Sequence, residues 1–186
     1  KRWKMKLVFV RHGDPDYVHD SLTAKGRVEA EILSGRIAGM QVRDFYCSPL
    51  GRAQETAAYS LEKIGRTAVT KEWLREFPGY VIDSQTGKRR IPWDFMPRDW
   101  TACRGLYDKE AWLLEPVMKS GDVAEVYGRV CDGIDGLLED YGYVREGSMY
   151  RTQGGNTDTL VFFCHLGITF AIMAHLIGLS PVMLWQ

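Results

Sequence analysis

Two histidines and a neighbouring arginine occupy positions where they can do chemistry. Arg11 and His12 directly follow the apolar run 5–10, and His165 directly follows a second apolar run, 159–164. Continuous runs of this kind are typical of strands covered on both faces in parallel sheets. Ligands of open α/β sheets bind at the carboxyl ends of such strands. The two imidazoles are therefore predicted to face one another across one crevice.

Arg52 is a second candidate for the same crevice. Ser48 and Pro49 predict the start of a helix, because a hydroxyl can cap free amides and proline fits the first turn. Arg52 then lies in that first turn, opposite an apolar stripe made by Leu50, Ala53, Ala57, Leu61 and Ile64. A guanidinium binds two phosphate oxygens at once, and helix starts attract anions. Arg11, Arg52, His12 and His165 together predict a pocket for a tetrahedral dianion.

The elements that must position these residues alternate along the chain. Helices are predicted over 23–39, with Thr23 as cap and Val28, Ile32, Leu33 and Ile37 on one face, over 123–141, ended by Gly142, and over 167–179. Strands are predicted at 5–10, 44–47, 67–70 and 159–164. This alternation indicates an α/β fold with a mostly parallel sheet.

Composition limits the classes of partner. With 186 residues and 45% hydrophobic content, we expect one domain spanning 1–186. The chain carries 24 basic and 24 acidic residues, so no global field attracts nucleic acid or a membrane surface, and we expect neither as a partner. No apolar run reaches the length of about 18 residues that a spanning helix needs. The oligomeric state is left open.

The cysteines and the chain ends bear on the compartment. The four cysteines form no CxxC pair, and Cys47 and Cys164 end apolar runs, as buried free thiols do in a reducing cytosol. The start shows no secretory signal, so we expect a cytoplasmic protein. Because the chain begins with Lys1 and stops at Gln186 just after an apolar run, we expect that both ends are trimmed.

The segment 77–121 breaks the α/β pattern with four prolines. We interpret it as an insertion that covers the site and selects the substrate. Residues expected to recognise a second anionic or aromatic group are Trp93, Trp100, Arg89, Arg90, Arg98 and Arg104. Solvated charge and ordinary loop packing remain an equal alternative for each of them.

Five ordered motifs make a resemblance specific. They are VRHGD at 10–14, LTxxG at 22–26, SPLxRAxxTA at 48–57, LREF at 74–77 and CHLGI at 164–168. This pattern resembles the two-histidine phosphatase superfamily, which includes the cofactor-dependent phosphoglycerate mutases. The resemblance spans nearly the whole chain except the insertion. It implies a three-layer α/β/α sandwich with the phosphoglycerate mutase-like fold.

The resemblance also implies roles for individual residues. His12 matches the nucleophile that becomes phosphorylated, and Arg11, Arg52 and His165 match the groups that hold the transferred phosphoryl. Glu76, in LREF, matches the acid that protonates the leaving oxygen. Substrate-binding positions would further include Gly13, Thr23 and His19, although Thr23 and Asp14 also suit shaping the turn and capping the helix. Leu166 departs from the family pattern, where glycine usually follows the second histidine. This departure is expected to reshape the pocket or narrow the choice of substrate, and it removes no catalytic group.

The expected activity is that of a histidine acid phosphatase-type phosphoric monoester hydrolase, acting on a small phosphorylated metabolite through phosphohistidine at His12. Arginine and histidine supply the positive charge, so no metal and no cofactor are expected. A phosphoglycerate mutase is the first alternative, but the short chain and the lack of recognisable mutase substrate loops favour hydrolysis. A non-catalytic protein that binds a phosphorylated ligand is the second alternative.

Overall fold

The computed structural model describes residues 4–152 and 154–185. Its strands are β1 Lys6–Arg11, β2 Pro15–Asp16, β3 Ser21–Leu22, β4 Asp44–Cys47, β5 Val69–Thr70, β6 Val81–Ile82, β7 Arg89–Arg90, β8 Val144–Glu146, β9 Met149–Arg151 and β10 Thr159–Cys164. Its α-helices are α1 Ala24–Ala38, α2 Gly51–Ile64, α3 Pro97–Thr101, α4 Pro116–Lys119, α5 Val123–Glu139, α6 Leu166–Ile177 and α7 Val182–Trp185. Single 3₁₀ turns occupy Glu72–Leu74, Arg104–Tyr107 and Trp112–Leu114.

A parallel sheet carries the two histidines. Within the described part of the chain it has four strands in the order β1-β10-β4-β5, and Arg11 pairs with Cys164 at the carboxyl ends of β1 and β10. The parallel register confirms the predicted α/β class and brings both strand ends to the same edge. One expectation was wrong, because β1 lies at the border of this sheet and only Val10 of it is buried, whereas β10 is buried throughout. The strand at the centre, not the first strand, is covered on both faces.

Helices α1 and α2 pack against each other beside the sheet. The face of α1 differs from the prediction, because Val28 is 60% and Ile32 is 72% exposed. Ile37 is buried and Leu33 packs against the core, as predicted, but the rest of the buried face consists of the small residues Gly26, Ala30 and Ser34. Small residues at this spacing let the helix approach its neighbours closely, so close packing outweighs the burial of larger apolar side chains.

The chain divides into two compact units. One comprises the residues up to Glu76 and those from 152 to 166, and the other comprises 77–151 and the residues from Gly167 onward. The second unit thus begins where the sequence places the insertion, but it also includes α5, β8, β9 and the C-terminal helices. The single-domain interpretation stays a prediction, and Gln186, on which the expected trimming partly depends, lies outside the described residues. None of the described helices is both long enough and apolar enough to cross a membrane.

Candidate active site

His12 lies directly after β1, where its backbone N–H donates to the carbonyl of Cys164 at 3.1 Å and so continues the parallel ladder. The residue is buried. Its Nδ1 lies 2.7 Å from the carbonyl oxygen of Gly13. Because a carbonyl can only accept, Nδ1 carries the ring proton in the neutral imidazole and Nε2 keeps its lone pair. This tautomer leaves Nε2 available as a nucleophile.

His165 lies directly after β10 and is fully buried. The ring centroids of His165 and His12 are 5.1 Å apart, with 57° between the ring planes. The structure therefore brings together two imidazoles that lie far apart in the sequence, at positions 12 and 165. The proximity of the two rings fits a shared site for one small group.

The surroundings of both histidines lower their pKa values and so favour the neutral ring. Burial is the main cause that lowers the pKa of His165 to about 3, and the positive charge of Arg52, with that of His12 whenever its ring is protonated, acts in the same direction. Burial also lowers the pKa of His12 below its ordinary value. The bond to Gly13 opposes this shift, while Arg52 and Arg11 add to it. Both rings are therefore neutral near pH 7.

Ser48 holds His165 in place, with its Oγ 2.7 Å from His165 Nε2 and both residues fully buried. The sequence predicted Ser48 as the cap of α2, and this was wrong. Helix α2 begins two residues later than Pro49, and the Ser48 hydroxyl accepts from Leu50 N at 3.2 Å outside the helix. Ser48 belongs to the SPL motif, so the motif pointed to its importance but not to its contact.

Arg52 lies in the first turn of α2, as predicted, and only 9% of it is exposed. Its Nη1 donates to Asp20 Oδ1 at 2.6 Å. Within residues 4–152 and 154–185, the buried Nε of Arg52 has no hydrogen-bond partner. A buried donor without a partner costs free energy unless a ligand satisfies it. The Nε edge of the guanidinium is thus suited to an oxyanion.

Asp20 is a site residue that the sequence analysis missed. Its second oxygen, Oδ2, accepts from the backbone N–H of Gly51 at 2.7 Å, so one carboxylate binds both the start of α2 and Arg52. These hydrogen bonds, together with the charge of Arg52, outweigh the effect of partial burial and lower the pKa of Asp20. Asp20 has a left-handed backbone with φ 47°, and a Cβ at Gly51 would overlap its carbonyl oxygen. No signal in the sequence separates Asp20 from the other loop carboxylates.

For Arg11 and Glu76 the structure gives the position in the chain and the exposure of the side chain. Arg11 ends β1 with an exposed side chain, and its charge contributes to the lowered pKa of both histidines. Glu76 is half-buried and follows the 3₁₀ turn Glu72–Leu74. It lies between Leu74 and Phe77, which are both buried, so the chain is anchored on either side of it. The acid role of Glu76 stays a prediction.

The other predicted substrate-binding groups make hydrogen bonds within the protein. The Thr23 hydroxyl accepts from Gly26 N at 3.1 Å, as a helix cap does, and donates to Asp14 Oδ2 at 2.7 Å. The Gly13 N–H donates to Thr56 Oγ1 at 3.1 Å. His19 is exposed, with Nδ1 2.7 Å from Asp16 Oδ2. Contact of these groups with substrate stays a prediction.

Several residues of the predicted insertion pack within the second unit. The Arg89 guanidinium lies 4.0 Å from the ring centroid of Tyr80. Trp93 packs against Trp185 with ring centroids 5.5 Å apart. A Cβ at Gly167 would overlap the Trp93 ring, so the start of α6 needs a glycine there. Recognition of substrate by these residues stays a prediction.

Solved structures share this fold. A mycobacterial glucosyl-3-phosphoglycerate phosphatase matches with a TM-score of 0.61 and 23% identity, covering 96% of this chain and 82% of that one. A phosphoserine phosphatase from Entamoeba histolytica, in complex with 3-phosphoglyceric acid, matches with a TM-score of 0.57 and 18% identity over 97% and 83%. An alpha-ribazole phosphatase from Shigella flexneri matches with a TM-score of 0.54 and 19% identity over 96% and 83%. At these identities the likeness shows the fold alone.

The sequence comparisons agree with this fold. A 2,3-bisphosphoglycerate-dependent phosphoglycerate mutase from Thermoplasma acidophilum is 30% identical over 83 residues. That match covers 39% of this chain and 42% of the mutase, so the chain spans less than half the length of this curated relative. The model of the histidine phosphatase superfamily (branch 1) matches residues 7–186. This last match covers nearly the whole chain, and the chain therefore belongs to the histidine phosphatase superfamily.

Proposed function

We propose that the protein is a metal-independent phosphomonoesterase that hydrolyses a small phosphorylated metabolite through a phosphohistidine on His12. The observation that carries the proposal is the pairing of two neutral, buried imidazoles 5.1 Å apart with a buried guanidinium edge that lacks a partner. A nucleophile, a neutral hydrogen-bond donor and a fixed positive charge are what transfer of a phosphoryl group requires.

In the first step, the lone pair of His12 Nε2 attacks phosphorus. The bond between phosphorus and the ester oxygen breaks, and its electron pair leaves with that oxygen. Glu76 donates a proton to the departing oxygen. Arg52 and Arg11 meet the negative charge on the equatorial oxygens, and His165 donates a hydrogen bond to them.

In the second step, water attacks the phosphohistidine. Glu76, now a carboxylate, takes a proton from the water as its oxygen bonds to phosphorus. The P–N bond breaks and returns its electron pair to His12 Nε2, which restores the neutral ring. Inorganic phosphate leaves, and both His12 and Glu76 recover their starting states.

A phosphoglycerate mutase is the second candidate, and the partial match to the mutase of Thermoplasma acidophilum favours it. The first step would be the same, but the phosphohistidine would pass its phosphoryl group to a bound phosphoglycerate instead of to water. Two solved neighbours also carry phosphoglycerates in their names or ligands. Phosphoglycerates are therefore the first metabolites to test, both for release of phosphate and for isomerisation.

The deciding experiment uses the purified full chain with 4-nitrophenyl phosphate and a panel of phosphate monoesters. We expect release of inorganic phosphate, unaffected by EDTA, and an acid-labile, base-stable ³²P-labelled enzyme after rapid quenching. The His12→Ala variant, shown to be folded by circular dichroism, should lose turnover by at least about 10³-fold and the label completely.

Other outcomes separate the rival functions. Isomerisation of phosphoglycerate without release of phosphate would assign the mutase reaction. A folded wild type that binds vanadate but turns over no ester would assign the non-catalytic role. Equal activity in His12→Ala would remove His12 as nucleophile.

A further inference from the structure

The second unit contains a cavity of about 910 Å³ that the phosphatase chemistry does not use. Its walls come from β6 and the turn after it, from α3 and its flanks, and from the start of α4. Part of the wall is aromatic, with the rings of Phe95 and Trp100 in contact at 4.5 Å between centroids. Polar and charged side chains make up much of the rest of the wall, and a cavity of this volume is large enough for a small molecule.

The arginines of this wall have partners within the protein. Arg90 Nη1 lies 3.2 Å from Asp83 Oδ2, and its guanidinium stacks 4.1 Å from the centroid of Phe95. Arg98 extends into solvent, with 84% of its side chain exposed, and lies 3.8 Å from Asp99. Neither arginine offers a buried, unpaired positive charge, so the cavity is not built for an anion.

Glu115 contributes a negative charge without a matching cation. Its carboxylate is seated over Gly105, where a Cβ would overlap Oε1, and it is half-buried. The side-chain partner that the structure gives it is the thiol of Cys103, whose Sγ lies 3.1 Å from Oε2. Across residues 4–152 and 154–185, no lysine or arginine nitrogen lies within 4 Å of this carboxylate.

The thiol is a weak donor and does not neutralise the carboxylate. The hydrogen bond to Glu115 raises the pKa of Cys103, so the thiol stays protonated at neutral pH and the carboxylate stays the only charge of the pair. A half-buried carboxylate in this situation gains most from a ligand that brings a positive charge and N–H donors.

Trp100 adds a second requirement. It is 3% exposed, and its Nε1 is buried without a hydrogen-bond partner in the described part of the chain. Its ring lines the same cavity as Glu115. An aromatic wall favours a flat ligand that packs against the rings.

We propose that this cavity binds a small aromatic cation with N–H donors, such as an aryl amidine or a protonated aminoheterocycle. The cationic N–H groups bind Glu115, and the ring packs against Trp100 and Phe95. This assignment does not depend on the proposed phosphatase activity.

The test measures binding of benzamidine to the full chain by isothermal titration calorimetry and saturation-transfer NMR. We expect saturable binding with a Kd of about 1 mM or below, and at least about tenfold weaker binding of the isosteric neutral benzamide and of the anionic benzoate. Glu115→Gln, which keeps the shape and removes the charge, should weaken benzamidine by at least tenfold.

The matched control is Glu110→Gln, a carboxylate from the same segment with 81% of its side chain exposed, and it should leave the affinity unchanged. Binding should also persist in His12→Ala, which separates this site from the phosphatase site. Equal affinities for benzamidine and benzamide, full affinity in Glu115→Gln, or no binding up to about 10 mM would each overturn the proposal.

Discussion

At the scale of single residues, the site depends on hydrogen bonds that select one state of each side chain. Gly13 selects the tautomer of His12, Ser48 contacts His165, and Asp20 holds one nitrogen of Arg52. Within the described residues, these contacts leave the Nε2 lone pair of His12 and the Nε edge of Arg52 without a hydrogen-bond partner. In the proposed mechanism, reactivity therefore follows from partners that do not themselves touch the phosphoryl group.

Ser48 is expected to set the tautomer of His165. Its Oγ already accepts from Leu50 N, and its proton needs an acceptor in a buried place, so we expect it to donate to Nε2 and leave the proton of the ring on Nδ1. Ser48→Ala should lower kcat by about 10- to 100-fold with a smaller change in KM, and it should shift the ¹⁵N resonances of His165. Ser48→Thr should restore most of kcat. An unchanged ¹⁵N pattern in Ser48→Ala would contradict this role.

Asp20 is expected to orient Arg52 rather than compete for it. Asp20 accepts a hydrogen bond from Nη1 and leaves the Nε edge of Arg52 for the oxyanion. Asp20→Asn removes the negative charge that holds the guanidinium, so it should raise the inhibition constant of vanadate by about tenfold. The measurement is the vanadate titration of aryl phosphate hydrolysis. Tighter binding of vanadate in Asp20→Asn would show that the carboxylate instead occupies the place of the phosphoryl group.

His12 should titrate below the ordinary histidine pKa of 6.5, because burial and the two arginines disfavour its protonated form. The nucleophile is then neutral above its pKa and is lost as the pH falls through it. The ring resonances of His12, followed by NMR from pH 8 to pH 4, give this pKa directly and avoid interference from the ionisation of the substrate. A midpoint at or above 6.5 would contradict the electrostatics of the site.

At the scale of elements, two close backbone approaches position the loop that carries His12. A Cβ at Gly13 would lie 2.7 Å from the carbonyl oxygen of Gly26, and a Cβ at Gly26 would overlap the carbonyl of Asp14. The first turn of α1 thus packs on the chain just after β1 with no room for a side chain on either glycine. Helix propensity alone would favour alanine at Gly26, so packing overrules it here.

Two alanine substitutions in α1 separate these effects. Gly26→Ala should destabilise the protein by about 2 kcal/mol or more, because backbone must move, and should also lower activity. Gly35→Ala, in the same helix with nothing within 4 Å of the new Cβ, should stabilise it by about 0.5 to 1 kcal/mol. Urea denaturation of each variant and of the wild type measures these two changes in the free energy of unfolding. A Gly26→Ala variant as stable as Gly35→Ala would show that the loop does not need this contact.

At the scale of the whole molecule, the buried neutral histidine ties stability to pH. His165 has a pKa of about 3 when folded and an ordinary value near 6.5 when unfolded, so only the unfolded state takes up this proton between the two. The contribution of His165 to the free energy of unfolding is therefore highest above pH 6.5 and falls on acidification toward pH 3. This single group contributes a slope of up to about 1.4 kcal/mol per pH unit.

The variant His165→Gln tests that contribution. Its free energy of unfolding, measured by urea denaturation between pH 7 and pH 4, should depend less steeply on pH than that of the wild type. The slopes are compared rather than the absolute stabilities, since the substitution also changes the contact with Ser48. Parallel slopes would mean that His165 is not held neutral by the fold.

The amino-acid sequence by itself determined the strand ends that carry His12 and His165, the turn that carries Arg52 and the family, because periodicity and ordered motifs are local properties of the chain. Only the tertiary structure decided that Asp20 binds Arg52, that Ser48 contacts His165 instead of capping α2, and that small residues rather than Val28 and Ile32 form the buried face of α1. Each of these depends on which distant segment packs there. A local pattern records the period of an element, but the partner across a contact is set by the packing of the whole unit.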